Sequence, residues 1–169
     1  SYIYYQSFIY NWEQKKFLEY SKILDQKLTI YPADKLVQIK GSDKKKINIG
    51  FHSADIRSQH SVTYFLKTVL ANYNKTKYNI YVYDGNKPDQ EDPTTRQFKK
   101  YVDNFTNIRN MGDIEVINLI RNDKIDILID LMGLISNHRL SLYKNRLAPI
   151  QVTWCGFQNT TGIKEMDYI

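Results

Sequence analysis

The chain has 169 residues, the size of one ordinary domain and enough to bury a core without metal or disulfide support. Its 24 Lys and Arg against 18 Asp and Glu give a net charge of +6, which suits an anionic ligand, but the densest basic run, Lys44-Lys45-Lys46, reads as a solvated turn and argues against nucleic acid. The single cysteine, Cys155, excludes an internal disulfide, no apolar run approaches the roughly 20 residues that span a bilayer, and no secretory leader pattern opens the chain, so a soluble, intracellular protein is expected.

Residues 12–28 space Phe17, Tyr20, Leu24 and Leu28 at helical intervals and predict an amphipathic helix. The polar stretch around Gly41-Ser42-Asp43 reads as a linker. From residue 46 the pattern changes. INIGF at 47–51 predicts a short strand, and Val62, Phe65, Leu66, Val69, Leu70 and Tyr73 then line one face of a helix. YNIYVY at 78–83 is rich in β-formers, residues 92–103 read as helical after Pro93, and a short third strand is placed around Phe105. Ile114, Ile117 and Ile120 mark a helix over 113–123, followed by the strand IDILIDL at 125–131, a brief helical stretch and the strand IQVTW at 150–154. Strands alternating with helices predict an α/β fold: a Rossmann-like parallel sheet of about five strands with helices on both faces, preceded by a helical extension.

In such a sheet the chemistry sits beyond the carboxyl ends of the strands, so the segments after each strand are the candidates. They are HSADIRSQH at 52–60, Asp84-Gly85, MGLISNHR at 132–139 and the loop Gly156-Phe157-Gln158-Asn159-Thr160-Thr161-Gly162. His60 opens the best helix of the chain, where the dipole and free N–H groups favour a neutral imidazole able to donate from one nitrogen and accept at the other. It suits a sugar or acceptor hydroxyl, and it equally suits a plain helix cap. Asp55 has a similar pair of readings, as a site carboxylate or a turn residue. Neither the dinucleotide fingerprint G-x-G-x-x-G, nor the P-loop, nor the G-x-S-x-G elbow of hydrolases is present, and no His/Cys cluster has metal-ligand spacing. Cys155 reads as a packed small residue rather than a nucleophile.

Three blocks in unbroken order, HSVTYFL at 60–66, IDILIDLMG at 125–133 and LAPIQVTWCGFQNTTGIKEMDYI at 147–169, resemble the O-linked N-acetylglucosamine transferases and their SPINDLY-type relatives. The resemblance implies the amino-terminal Rossmann-like lobe, residues 46–169, of a two-lobed, metal-independent inverting glycosyltransferase of the GT-B type. Residues 1–45 are similar to the helices that join a tetratricopeptide array to the catalytic region, and are read as a helical extension and linker. The implied reaction moves N-acetylglucosamine from UDP-N-acetylglucosamine to Ser or Thr of proteins, with no cofactor and no metal. The implied partners are the nucleotide sugar, protein or peptide acceptors and a second catalytic lobe, with neither nucleic acid nor membrane. In that family Asp55 and His60 match residues facing the sugar, and Cys155, Gly156, Gln158, Thr160, Thr161 and Gly162 match the loop against the sugar and diphosphate. The loop glycines would admit close backbone approach to the donor.

The chain also departs from the family pattern. Asp55 and His60 are five residues apart instead of four, Phe157-Gln158 stands where Tyr-Pro is common, and Leu134 replaces a histidine. The sequence stops where the family continues into a second lobe carrying the lysine that stabilises the departing diphosphate, so the 169 residues are expected to be inactive alone. Two other readings remain open: protein O-fucosylation from GDP-fucose, because NTTG occurs in SPINDLY-type loops, and a catalytically inactive interaction module.

Overall fold

The structure, a computed structural model, describes residues 14–39 and 45–169. The linker at 41–43 and the start of the upstream extension lie outside the described residues. In chain order the elements are α1 (Gln14–Lys27), β1 (Ile47–Ser53), α2 (Ser61–Asn72), β2 (Tyr78–Asp84), α3 (Pro93–Tyr101), β3 (Asn104–Asn107), α4 (Asp113–Asn122), β4 (Ile127–Asp130), α5 (Leu140–Lys144) and β5 (Ile150–Thr153). The strands form one sheet in the order β3-β2-β1-β4-β5, and every pairing is parallel. Register is longest in the centre, where β1 pairs with β2 from Ile47↔Tyr78 to Ser53↔Asp84.

Both faces of this sheet are covered, as the near-continuous apolar strands require. On β2, Ile80 and Val82 enter the cluster of Phe51, Leu66, Leu70 and Phe98 beneath α2 and α3. Tyr81 and Tyr83 point the other way, into the cluster of Val116, Ile117, Leu128 and Tyr143 beneath α4 and α5. The period of two along one strand therefore feeds two cores. Local chemistry sets the helix starts: the Asp92 carboxylate accepts from the N–H groups of Thr94 and Thr95, and Pro93 occupies the first turn of α3, where its missing N–H costs nothing.

Chain direction across the sheet reverses once. β1, β2 and β3 advance towards one edge, whereas β4 and β5 lie on the other side of β1, so the switch falls between β1 and β4. After β5 the chain turns back, and its end runs beside that strand, with Thr153 N–H donating to the Tyr168 carbonyl and Asp167 N–H to the Gln151 carbonyl.

The helical stripes differ from the sequence reading in two places. On α2 the buried positions are Val62, Thr63, Leu66 and Leu70, and Phe65 stays 60% exposed. Thr63 is buried because its hydroxyl bonds the carbonyls of Asp55 and Arg57 at 3.2 and 2.8 Å. On α1 the inward face is Phe17, Ser21 and Asp25, with Tyr20 outward. Asp25 occupies that face because it takes Lys144 of α5 at 2.8 Å, Lys144 being also 3.2 Å from Glu165. Ser21 is there because it is small enough to lie against Gly162, its buried hydroxyl having no hydrogen-bond partner among the described residues.

Residues 14–39 thus share the core of the sheet domain. Phe17 is buried in the same cluster as Tyr143 and Phe157, Tyr31 N–H donates to Asn145, and the Arg121 guanidinium holds the Val37, Asn145 and Arg146 carbonyls. Phe17→Ala is expected to lower unfolding free energy by about 3 kcal/mol, the usual loss for truncating a buried Phe, within a single cooperative transition. Denaturant titration followed by fluorescence and circular dichroism checks this; a sheet-domain transition left at its original midpoint would mean that α1 is not part of the cooperative unit.

Candidate functional site

The turn after β1 is built by its own side chains. The Ser53 hydroxyl accepts from Asp55 N–H at 3.0 Å, Arg57 N–H donates to the Asp55 carbonyl at 2.9 Å, and the Thr63 hydroxyl ties the turn to α2. The five-residue spacing closes with Gln59 in the left-handed region at φ 61°. Asp55 and His60 still meet: the carboxylate Oδ1 is 3.6 Å from His60 Nε2 and 3.2 Å from an Arg57 nitrogen. His60 occupies the cap position of α2 in its backbone only. Its imidazole makes no capping bond, and its Nδ1 is buried without a partner.

The turn after β4 is held by Asp130. Its carboxylate accepts from Met132 N–H at 3.0 Å, Gly133 N–H at 2.8 Å and the Thr153 hydroxyl at 3.1 Å, which locks the ends of β4 and β5 together. The side chain is buried, and that desolvation raises its pKa to about 6 even though all three hydrogen bonds favour the charged form. Beside it, His52 is buried with Nδ1 2.9 Å from the Tyr143 hydroxyl, and burial followed by the Arg139 charge lowers its pKa to about 4. His52 is therefore a neutral core group near pH 7.

The 156–162 loop rests on that turn at van der Waals contact. A Cβ at Gly156 would lie 1.7 Å from the Leu131 carbonyl oxygen, and one at Gly133, where φ is +54°, would lie 2.3 Å from Phe157 Cβ. Phe157 points inward and stacks on Phe17 of α1 at 6.3 Å between ring centroids. At the far end Gly162, with φ +73°, packs on Ser21 of α1.

These turns enclose a crevice of about 320 Å³ at the switch point, bordered by Asp55, Arg57, His60, Ser136, Asn137 and Gly156. The structure thus brings His60, Asp55 and Gly156 together. Gly162 lies elsewhere, on a groove with Lys22, Asp25 and Lys144. Thr160 and Thr161 brace the loop from within, their hydroxyl oxygens facing Gly162 N–H at 3.1 Å and Ile163 N–H at 3.5 Å. Gln158 is exposed. Cys155 packs against the Phe51 cluster, and burial pushes its thiol pKa up, the opposite of an activated nucleophile. Arg57, Ser136 and Asn137 were not singled out from the sequence; the only signal available was their place after β1 and β4. Among the described residues no group of three or more His, Cys, Asp or Glu is arranged to hold a metal.

A parallel sheet whose loops form a polar crevice at the switch point defines an α/β ligand-binding lobe. Glycosyl transferase family 41 matches residues 10–169, and the chain belongs to that family. It is 36% identical over 129 residues to the Arabidopsis thaliana protein described as a probable UDP-N-acetylglucosamine–peptide N-acetylglucosaminyltransferase SPINDLY, covering 74% of this chain and 14% of that protein. The protein of the same description from Oryza sativa subsp. japonica is 39% identical over 124 residues, covering 71% and 13%. The Arabidopsis thaliana SEC counterpart is 28% identical over 125 residues, covering 74% and 13%. Among solved structures, a mutant of the Thermobaculum terrenum O-GlcNAc transferase superposes with a TM-score of 0.75 at 33% identity, covering 89% of this chain and 28% of that one. The chain therefore spans a small part, 13–14%, of the curated relatives it matches.

Two outcomes are expected from this geometry. Gly156→Ala should destabilise the chain by about 3 kcal/mol or more, because the methyl would overlap a backbone carbonyl that cannot yield; a thermal melt within about a degree of wild type would contradict it. The two buried titrating groups act on stability with opposite sign. His52, lowered from 6.5 to about 4, contributes stability that is present above pH 6.5 and lost as pH falls towards 4. Asp130, raised from 3.8 to about 6, contributes stability that is present below pH 3.8 and lost as pH rises through 6. Between pH 4 and 6 they offset each other, so Asp130→Asn should steepen the loss of stability on acidification and His52→Gln should remove or invert it. Denaturation midpoints at pH 7, 5.5 and 4.5 for the three proteins read this directly.

Proposed function

We propose that this chain forms the amino-terminal lobe of an inverting protein O-glycosyltransferase that moves N-acetylglucosamine from UDP-N-acetylglucosamine to Ser or Thr of intracellular proteins, without metal or cofactor. The observation that carries the reading is the meeting of His60 and Asp55, 3.6 Å apart, in a switch-point crevice bordered by the Gly156 backbone. In an inverting transfer the acceptor oxygen bonds to the anomeric carbon as the bond from that carbon to the diphosphate breaks on the opposite face, and the acceptor proton departs. The His60 side chain borders the crevice with Nε2 3.6 Å from Asp55, and from there it can hydrogen-bond the sugar or the reacting hydroxyl and set its direction, with the Asp55 carboxylate beside it. Charge on the departing diphosphate needs a preorganised cation. That cation is assigned to a second lobe. At the crevice the Gly156 backbone supplies close approach to the donor, while Cys155, Thr160, Thr161 and Gly162 hold the shape and packing of the loop behind it and Gln158 stays exposed.

A second reading, transfer of fucose from GDP-fucose, is favoured by Asn159-Thr160-Thr161-Gly162, a run that resembles SPINDLY-type loops. A radiolabelled transfer assay to Ser/Thr peptides with both donors decides. The 169-residue chain should transfer neither sugar. A protein carrying this segment with a second lobe should use one of them, and His60→Ala in it should lower kcat by about 100-fold or more without moving the melting temperature. Full activity of the short chain defeats the two-lobe account, an unimpaired His60→Ala protein returns His60 to a structural role, and no transfer from either donor in the longer protein favours an interaction module.

A further inference from the structure

The crevice does not end at His60. It continues past Asp55 and Asn137 into a second cavity of about 410 Å³ reached by Arg57, Asn86, Lys87 and Arg109. The sheet order fixes the direction of this extension. The Gly156 loop comes after β5 on one side of the switch point, His60 after β1, and Lys87 and Arg109 after β2 and β3 on the opposite side. A donor lying against the Gly156 loop leaves this arm of the crevice on the far side of the reacting position.

The arm is strongly biased in charge. Lys87 and Arg109 are exposed and, among the described residues, have no carboxylate within ion-pair distance, and the Arg57 side chain is 47% exposed. The one carboxylate that lines it, Asp55, already lies beside Arg57 and His60. Its walls are mainly polar, so an apolar occupant would strand them without partners. We propose that this arm receives the stretch of acceptor polypeptide beside the modified Ser or Thr, and that it selects acceptors carrying Asp or Glu there. The inference rests on the glycosyltransferase reading and names its acceptor class. Exposed charge pairs are individually weak and act mainly on partner choice and encounter, so the selection is a preference and it weakens as salt rises.

The test uses the isotope-labelled 169-residue chain and three Ser-containing peptides identical except for flanks of Asp/Glu, Asn/Gln or Lys/Arg, titrated by NMR at low and at 0.3 M salt. The acidic peptide should bind roughly tenfold tighter than the neutral one, with amide shifts at residues 54–57, 85–87 and 109, and the preference should shrink at high salt. Lys87→Glu/Arg109→Glu should abolish it. Lys22→Glu/Lys164→Glu, which makes the same change in net charge on the separate groove beside α1, should leave it intact. Melting curves of both double variants verify folding. No acidic-peptide binding, equal binding of the neutral peptide, shifts elsewhere, or equal losses in the two double variants would overturn the proposal. Because the readout is peptide binding, its failure is separable from a failure of sugar transfer, which the donor assay reads independently.

Discussion

One backbone contact governs the rest: the chain leaving β5 passes so close to the Leu131 carbonyl that residue 156 has no room for a side chain. A glycine there brings two turns together that strand geometry alone would leave apart. Asp130 makes the arrangement rigid by bonding the N–H groups of one turn and the Thr153 hydroxyl at the end of the neighbouring strand. With the backbones in contact, Phe157 has nowhere to point but inward, and its ring completes the core shared with Phe17 and Tyr143. The crevice is thus a by-product of packing below it.

The division of polar groups obeys the same layering. Beneath the crevice, burial keeps His52 neutral near pH 7, and the Asp130 carboxyl is under pressure to take up a proton. At the rim, Arg57 and His60 reach solvent, and each lies beside the largely buried Asp55 carboxylate. The cationic and imidazole groups at the crevice thus stay within reach of water, and the groups that hold the turns together lie where it is excluded.

Much of this was legible in the sequence. The apolar runs 47–51, 78–83 and 125–131 announced parallel strands, since only a sheet covered on both faces uses such runs, and their carboxyl ends located the crevice. Helical faces were read less well. Counting apolar residues put Phe65 inward and left out Thr63, Ser21 and Asp25, because their inward places depend on particular neighbours that apolar spacing does not register: the turn carbonyls of Asp55 and Arg57 for Thr63, the Gly162 backbone for Ser21 and the Lys144 ammonium for Asp25. The loop was read as a single donor surface, yet Gly156 borders the crevice and Gly162 packs on α1. Both are glycines in a polar context, and only the tertiary neighbour distinguishes them. Arg57 and Asn137 carried no spacing signal, since they reach the crevice from turns whose shape depends on Thr63 and Asp130.

The packing of α1 has a consequence for which lengths of chain the fold accepts. Phe17, Ser21 and Asp25 are spaced four apart so that one helical face meets Phe157, Gly162 and Lys144 in turn. Each residue added to a helix rotates the remainder of that helix by about 100°. An insertion between Phe17 and Ser21 would swing the small hydroxyl away from Gly162 and bring a bulkier neighbour against a backbone that tolerates none. The turn between Asp55 and His60, by contrast, absorbs an extra residue through Gln59 and keeps its two ends together. Length variation is therefore permitted in the turn that borders the crevice and forbidden in the helix that packs away from it.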